Sequence, residues 1–365
     1  MSGIRLENVS KNFPGGILAI NDLSMEIYNK ELLILTGPSD CGKSTLLRLI
    51  AGLEDPCSGN IYIDGQLVNY IDPTERNIAM VFQNLNLYPH MTIFQNMEFG
   101  PKFRKLNIKQ VRENIVNIAE MLEISHLLDK HPNELDVFER QCVAFARAAV
   151  KHPRVYLVDR VSTKCSEKEK KRLYEEITAI HRKLRATIVV AIDSDVAPVR
   201  MGDRTAVMNK GRIDQIGAYE ELYNKPSNKF VAGFMGRGHT SFISARVCED
   251  EENVYLNIGR NKIGLETEKV KDLKEGQYIN REVIIALRPE DIRFDDGFQS
   301  GNAIEAEIET IETSKEESFL NLVAEGIHFC VKTSDYSIFK RGDSLRVAVD
   351  ISKILLLDKD SGRAI

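Results

Sequence analysis

The hydrophobic positions in the first two thirds of the chain switch repeatedly between two periods. Short apolar runs typical of buried strands alternate with charged segments of helical period, and residues 91–151 are helical, with an amphipathic helix at 111–122. Such alternation indicates parallel βαβ units, whose ligand groups collect at the carboxyl ends of the strands. Residues 4–9 and 18–27 alternate apolar with polar and predict an antiparallel layer ahead of this sheet. The predicted buried strands cover residues 32–35, 154–159, 186–192 and 204–208.

Beyond residue 236 the pattern changes to short strands alone. A stretch rich in Gly, His, Thr and Ser at 236–241 predicts the domain boundary, which gives domains 1–235 and 236–365. Strands at this spacing are typical of small β-barrels of the oligonucleotide/oligosaccharide-binding (OB) type. The predicted strands cover residues 241–249, 254–258, 283–287, 303–312, 319–324, 327–332 and 345–351.

One glycine-rich stretch follows the run at 32–35 directly and precedes an apolar, helix-like segment. It reads glycine, four residues, then Gly-Lys-Ser, the pattern of a phosphate-binding loop. Gly37 and Gly42 allow a tight turn that brings backbone N–H groups to the phosphates. Lys43 reaches the β- and γ-phosphates, and the Ser44 hydroxyl is a ligand for Mg²⁺. The predicted contacts of ATP and Mg²⁺ here are Gly37, Pro38, Ser39, Asp40, Cys41, Gly42, Lys43, Ser44 and Thr45.

Phe13 is a further candidate for the nucleotide site, because it lies beside the predicted turn at 14–16. An aromatic ring there can stack on adenine. The alternative is a phenylalanine that packs the turn or the core.

The composition excludes several classes of protein. With 365 residues, 43% hydrophobic and 28% charged, the chain is long enough for two globular domains. A net charge of −5 at pH 7 argues against nucleic acid as a partner. No apolar stretch approaches the roughly 18 residues that mark a membrane span. The six cysteines are scattered and predict reduced thiols of a cytosolic protein, with Cys41 inside the phosphate loop.

These motifs together resemble the ATP-binding subunits of ABC transporters, in the branch of the carbohydrate importers. The phosphate loop and its continuation match that branch over residues 37–54, and Val81-Phe82-Gln83 resembles its Q-loop. The expected fold is an α/β P-loop NTPase with a helical subdomain at about 91–151, followed by an all-β, OB-like (TOBE-type) regulatory domain. The other matching segments are residues 87–92, 96–100, 286–290, 341–343 and 350–353.

The resemblance implies a dimer of such subunits beneath a membrane permease, at the cytoplasmic face of the membrane. Each nucleotide is expected between the phosphate loop of one subunit and the signature motif of the other. Ser44, Gln83 and Asp159 are then the expected Mg²⁺ contacts, and residues 84–100 are expected to dock the permease. Whether the second subunit is another copy of this chain or a different ABC ATPase stays open.

The segment that aligns with the family's signature, Leu-Ser-Gly-Gly-Gln, departs from it. It reads Leu135-Asp136-Val137-Phe138-Glu139. The family's Ser and Gly donors reach the γ-phosphate across the dimer, whereas here Asp136 brings a carboxylate and Val137 and Phe138 bring bulk. Two unit charges about 4 Å apart repel by about 4 kcal/mol at an effective dielectric of about 20. We expect this repulsion to oppose closure of the dimer unless the carboxylate turns away.

Two catalytic positions differ as well. Arg160 stands at the general-base position after Asp159, and a guanidinium accepts no proton at neutral pH. Loss of a general base typically costs roughly 10²–10⁴ in rate. Asp193 stands at the switch-histidine position, and residues 163–166 also depart from the family's loop. Arg160 and Asp193 either form an ion pair that helps to retain ATP or have drifted independently.

The sequence therefore predicts an ATP-binding subunit of a carbohydrate-type importer whose hydrolysis is weak or absent. One alternative is a regulatory or scaffold protein that keeps ATP as a structural ligand and powers no transport. Another is an active ATPase that uses a different base.

Overall fold

The computed structural model describes residues 2–82, 84–103, 107–159, 167–192, 200–236, 239–250, 253–294, 303–313 and 317–365. The chain divides into two compact units, Met1–Tyr219 and Glu220–Ile365. Within the described ranges, no helix is long and apolar enough to cross a membrane.

The first unit contains two sheets that share one hydrophobic core with helix α1 (Lys43–Ala51). Leucine and isoleucine side chains of this helix are buried among residues from both sheets. The strands are β1 (Ser2–Phe13), β2 (Ile17–Tyr28), β3 (Leu32–Thr36), β4 (Ser58–Ile63), β5 (Gln66–Leu67), β6 (Ile78–Val81), β7 (Val155–Asp159), β8 (Thr187–Ala191), β9 (Arg204–Asn209) and β10 (Arg212–Gly217). The other helices are α2 (Ile93–Phe103), α3 (Ile108–Met121), α4 (Val137–Ala149) and α5 (Glu167–Leu184), with single 3-10 turns at Ser125–Leu127 and Pro132–Glu134.

The sequence predicted both layers correctly. Strands β1, β2, β4 and β5 form an antiparallel sheet in the order β2-β1-β4-β5. The second sheet has the order β10-β9-β3-β8-β7-β6 and is parallel except for the β9–β10 pair. Every residue of β3, β7 and β8 is buried, as parallel strands covered on both faces require. The carboxyl ends of β3 and β7 therefore lie at the same edge of this sheet.

Arg76 anchors the end of α1 that is opposite the phosphate loop. The residue is only 4% exposed, and its guanidinium donates to the carbonyl oxygens of Leu49, Ile50 and Ile71 at 2.9–3.1 Å. The carbonyls at a helix C-terminus lack partners within the helix, so this cation satisfies them and complements the helix dipole. Arg76 thereby holds the helix that the phosphate loop leads into.

The second unit is built mainly from two five-stranded antiparallel sheets around their own core, which confirms the expected all-β, OB-like domain. The sheet orders are β13-β12-β11-β14-β20 and β15-β19-β16-β17-β18. Helices α6 (Tyr219–Asn224), α7 (Lys229–Met235) and α8 (Thr267–Glu275) and 3-10 turns at Pro289–Asp291 and Ile351–Lys353 complete the elements beyond β10. The strands are β11 (Ser241–Glu249), β12 (Val254–Ile258), β13 (Asn261–Gly264), β14 (Glu282–Leu287), β15 (Ile292–Phe294), β16 (Ala303–Thr313), β17 (Ser318–Ala324), β18 (Ile327–Thr333), β19 (Ser344–Val349) and β20 (Leu355–Asp358).

The division between the compact units comes earlier in the chain than the predicted junction at residue 236. The segment before α7 is bonded to the end of the chain, because Lys229 N–H donates to Gly362 O at 2.7 Å and Ala364 N–H donates to Ser227 O at 3.0 Å. Because of these long-range bonds, α7 belongs to the second compact unit. The domain boundary at 235/236 stays a prediction.

Asp291 ends a 3-10 turn in the second unit and is half-buried. Burial raises the pKa of its carboxyl from 3.8 to about 6; Arg288 opposes this shift, while Glu290 and Asp350 add to it. A raised folded-state pKa contributes stability that is complete below the unfolded value and is lost as the pH rises through about 6.

We expect Asp291→Asn to stabilise the protein at pH 8 by about 1 kcal/mol, after discounting for solvent at a half-buried site, because it removes the buried charge. The gain should vanish near pH 4, where the wild-type carboxyl is protonated. Urea unfolding at both pH values measures the difference, with exposed Asp272→Asn as the control. Equal effects of Asp291→Asn at both pH values would contradict this expectation.

Candidate nucleotide-binding site

The phosphate loop is held against two strands at positions where only glycine fits. Gly37 has φ +149°, and a Cβ there would lie 2.1 Å from the carbonyl oxygen of Met208 at the end of β9. Gly42 has φ +110°, and a Cβ there would lie 2.4 Å from the carbonyl oxygen of Ala19 in β2. Both glycines thus let the loop turn tightly from β3 into α1, as the sequence predicts.

Lys43, the first residue of α1, lies beneath this loop and is 2% exposed. Its ammonium donates to the carbonyl oxygens of Gly37 and Pro38, both at 2.8 Å. The cation is therefore fixed beside the loop at the positive end of the helix dipole. A cation and a helix N-terminus together favour a phosphate.

Ser44 and Asp159 bring two oxygen groups together from different elements. The Ser44 hydroxyl on α1 donates to Oδ1 of Asp159 at 2.6 Å, at the carboxyl end of β7. Asp159 is 6% exposed. A hydroxyl and a carboxylate are the hard oxygen ligands that Mg²⁺ prefers, so this pair fits that ion. The pair forms because the carboxyl end of β7 lies beside the start of α1.

The remaining residues of the loop differ in exposure. Ser39 and Asp40 are exposed at its tip, Thr45 is half-buried, and Cys41 is buried. Asp40 has φ +61°, a left-handed conformation that aspartate tolerates better than most residues do. The tip therefore presents backbone and short polar side chains.

Phe13 ends β1 and pairs with Ile17 across the hairpin. Its ring is half-buried, with the Lys11 ammonium 5.1 Å from the ring centroid. The partner strand of this hairpin contacts the phosphate loop through Ala19 and Gly42. Phe13 thus belongs to the hairpin beside the loop, and its role in adenine stacking stays a prediction.

Asp136 turns onto its own helix. It is the N-cap of α4, and its Oδ1 accepts the Glu139 N–H at 2.7 Å, while the Glu139 carboxylate accepts the Asp136 N–H at 2.9 Å. This reciprocal capping box satisfies two main-chain donors at a helix N-terminus. The carboxylate is turned onto its own helix, and its negative charge remains at this end.

The other residues of the signature segment (135–139) also make contacts within the chain. Leu135 is buried, and Phe138 is half-buried with the Arg172 guanidinium of α5 4.1 Å from its ring centroid. Val137 is 42% exposed. The apolar bulk of Phe138 therefore packs on α5.

Several predicted site residues lie outside the described residues. These are Gln83, Arg160, Asp193 and residues 163–166. Their assigned roles, including the ion pair between Arg160 and Asp193, stay predictions.

The coupling segment, residues 84–100, is held by a buried asparagine. Asn96 is 0% exposed, accepts the Tyr88 N–H at 2.8 Å, and donates to the carbonyl oxygens of Tyr88, Met91 and Thr92 at 3.0–3.2 Å. The Tyr88 ring lies 4.7 Å from that of Phe99. Beside them is a cleft of about 290 Å³, lined among others by Met80, Phe82, Tyr88, Phe99, Arg147 and Lys151.

Sequence reasoning missed Asn96 and Arg147 as fixing residues. Arg147 lies on α4 and bonds to the main chain at residues 85 and 86. A charged residue directly after the apolar run from Cys142 to Ala146 was the available signal, because a cation beside a buried segment needs partners. The sequence did not show where those partners lie.

The fold and the phosphate loop define a nucleotide-binding protein of the P-loop class. The ABC transporter family model matches residues 20–162. The chain is 38% identical to the trehalose/maltose import ATP-binding protein of Thermococcus litoralis, over 100% of both chains. It is 35% identical to the sn-glycerol-3-phosphate import ATP-binding protein of Psychromonas ingrahamii, over 100% of this chain and 96% of that protein. The chain belongs to the ATP-binding proteins of the ABC transporter family.

Two further comparisons agree with this membership. The oligosaccharides import ATP-binding protein of Bacillus subtilis is 33% identical over 99% of both chains. Among solved structures, cbiO1 from Clostridium perfringens matches with a TM-score of 0.56 at 26% identity, over 60% of this chain and 90% of that one. A dimeric ATP-binding cassette in a post-hydrolysis state bound to ADP and Pi matches with a TM-score of 0.51 at 27% identity, over 59% of this chain and 98% of that one.

Burial raises the pKa of the Cys41 thiol despite the nearby Lys43 ammonium, whereas Cys57 is exposed. Because the thiolate is the reactive form, we expect a thiol-alkylating reagent to modify Cys57 roughly tenfold or more faster than Cys41 in the native protein. Mass mapping of peptides over time measures both rates, with Cys57→Ser as the control. Unfolding in urea should remove the difference, and modified Cys41 should block nucleotide binding. Equal native rates would contradict this reading of the loop.

Proposed function

We propose that this chain is the ATP-binding subunit of an ABC-type carbohydrate importer that retains Mg-ATP and hydrolyses it weakly or not at all. The named relatives import trehalose/maltose, sn-glycerol-3-phosphate and oligosaccharides, which supports a carbohydrate-type cargo. Their similarity extends over nearly the whole chain, so both units are included in the proposal.

ATP binding is proposed at the phosphate loop. Lys43 and the main-chain N–H groups before α1 bind the phosphates, while Ser44 and Asp159 hold Mg²⁺, together with Gln83. When bound, Mg²⁺ neutralises developing negative charge on the phosphates. The contact of the Ser44 hydroxyl with the Asp159 carboxylate supports this assignment, because the two oxygen atoms are only 2.6 Å apart.

The capping box at α4 is the main observation in support of weak hydrolysis. The N-cap of α1 is Gly42, which has no side chain to cap the helix, whereas the N-cap of α4 is Asp136, whose carboxylate already accepts a main-chain N–H. An incoming phosphate would meet a negative charge and an engaged donor at α4. Arg160, in place of a general base, would not accept the proton of an attacking water. Both changes act in the same direction, against turnover.

The partner proposed for the coupling segment is a membrane permease. The cleft of about 290 Å³ beside it combines aromatic and aliphatic walls with the cations Arg147 and Lys151. Such a surface suits a short helix with apolar residues and an acidic group. This location implies a peripheral protein at the cytoplasmic face of the membrane. The second ATPase subunit is either another copy of this chain or a paralogue. A partner with an intact signature would supply that motif to the site on this chain's phosphate loop, which would still lack a general base.

We expect the purified wild-type chain to bind Mg-ATP but to release phosphate near background. Lys43→Ala should weaken binding at least roughly tenfold, because it removes the phosphate-binding cation. Calorimetry and a phosphate-release assay measure the two properties separately. Restoring the family's residues should raise turnover roughly 10²-fold or more, as expected when a general base is regained. The variant for this test carries Asp136→Ser, Val137→Gly, Phe138→Gly, Arg160→Glu and Asp193→His.

A mixing experiment isolates the signature segment. The triple variant Asp136→Ser/Val137→Gly/Phe138→Gly that also carries Lys43→Ala supplies a restored signature without its own nucleotide site. Mixed with wild type, it should form ATP-dependent dimers that neither chain forms alone, as judged by light scattering. The proposal would be overturned by rapid phosphate release from wild type that Lys43→Ala abolishes, or by failure of wild type to bind Mg-ATP.

A further inference from the structure

The main chain that follows β6 takes an unfavourable conformation. Leu85 has φ +58° and Asn86 has φ +45°, both in the left-handed region. Asparagine tolerates this region, but leucine rarely adopts it, because its Cβ crowds the following carbonyl. Two consecutive residues of this kind persist only where the surroundings hold them.

Arg147 supplies that support from α4. One terminal nitrogen of its guanidinium donates to Asn86 O at 2.6 Å and the other donates to Leu85 O at 2.7 Å. The planar fork of arginine lets each of its two terminal nitrogens bond one of two neighbouring acceptors. Burial lowers the pKa of this guanidinium, with Tyr88 opposing the shift, and arginine stays charged at neutral pH. The two carbonyl bonds stabilise this half-buried cation.

The same helix begins at the signature segment. Arg147 lies ten residues beyond Val137, the first residue of α4, which is about 15 Å along the helix axis at 1.5 Å per residue. The helix between them is largely buried, from Gln141 to Ala146. We therefore expect a displacement of the N-terminus of α4 to move Leu85 and Asn86 as well. Asn96 holds the next part of the segment through its bond to the Tyr88 N–H.

We propose that Arg147 is a positioning residue that fixes the main chain after Gln83 and connects it rigidly to the helix that carries the signature segment. The connection makes Mg-nucleotide binding sensitive to the position of α4. This last statement rests on the proposed function, in which Gln83 contacts Mg²⁺. The statement that Arg147 fixes the main chain is independent of the proposed function.

Hydrogen exchange tests the fixing of the main chain in full-length protein without nucleotide. The amide N–H groups of Leu85 and Asn86 donate to Phe82 O and Asn84 O at 2.8 and 2.6 Å. Arg147→Met should speed their exchange roughly tenfold or more, since the turn loses its support. Arg147→Lys, with one bonding group, should lie between Arg147→Met and wild type. Arg154→Met is the control and should leave the rates unchanged, because the ion pair of Arg154 with Asp64 involves neither Leu85 nor Asn86. Unchanged exchange in Arg147→Met would overturn the proposal.

A double-mutant cycle tests the connection to the site. Arg147→Met and Gln83→Ala should each weaken Mg-ATP binding, and the double variant should be no weaker than the worse single one, because both act on one contact. Binding of ATP in EDTA should change little in Arg147→Met. Additive losses, or equal losses with and without Mg²⁺, would overturn the connection. If wild type fails to bind Mg-ATP, the proposed function fails, while hydrogen exchange still decides whether Arg147 fixes the turn.

Discussion

The close approach of the phosphate loop to the ends of β2 and β9 is the constraint on which the site depends. At Gly37 and Gly42 the loop passes so near the main chain of Met208 and Ala19 that no Cβ is accommodated. This contact fixes where α1 begins, and therefore where Lys43 and Ser44 lie. The parallel sheet then brings Asp159 within 2.6 Å of the Ser44 hydroxyl. A methyl group at either glycine would disturb the entire arrangement.

Helices α1 and α4 differ in the residue that caps their N-termini. Gly42 leaves the start of α1 without a side-chain cap, in contact with a buried cation, which favours an anion there. Asp136 gives α4 an anion of its own, and Glu139 completes the box. A cap of this kind typically stabilises a helix by about 1 kcal/mol, and here it engages the Glu139 N–H. The start of α1 thus favours an anion, whereas the start of α4 already holds a carboxylate.

Arg147 relates these features to the rest of the first unit. Helix α4 carries the capped signature segment at one end and holds Leu85 and Asn86 near the other. Asn96 fixes the adjoining turn through four hydrogen bonds. The segment between β6 and α2 is consequently held by side chains from two helices, beside the cleft proposed for a permease.

The sequence by itself determined the main architecture and the phosphate loop. Continuous apolar runs located β3, β7 and β8, because both faces of these strands are buried. A period of 3.6 located α3, because only one face of that helix is buried. The strongly charged α8 was missed: among its residues only Leu273 is buried, so its apolar face leaves little pattern. The glycine–lysine–serine spacing identified the loop, because its local geometry is encoded within a few residues.

Only the tertiary structure decided which groups meet across long separations in the chain. The bonds of Arg76 to the end of α1 and of Arg147 to Leu85 join residues that no short motif relates. The direction of the Asp136 carboxylate was likewise undetermined, since a capping box and an outward carboxylate share one sequence. Residue order specifies which local structures are favoured, whereas packing selects the partner of each buried polar group.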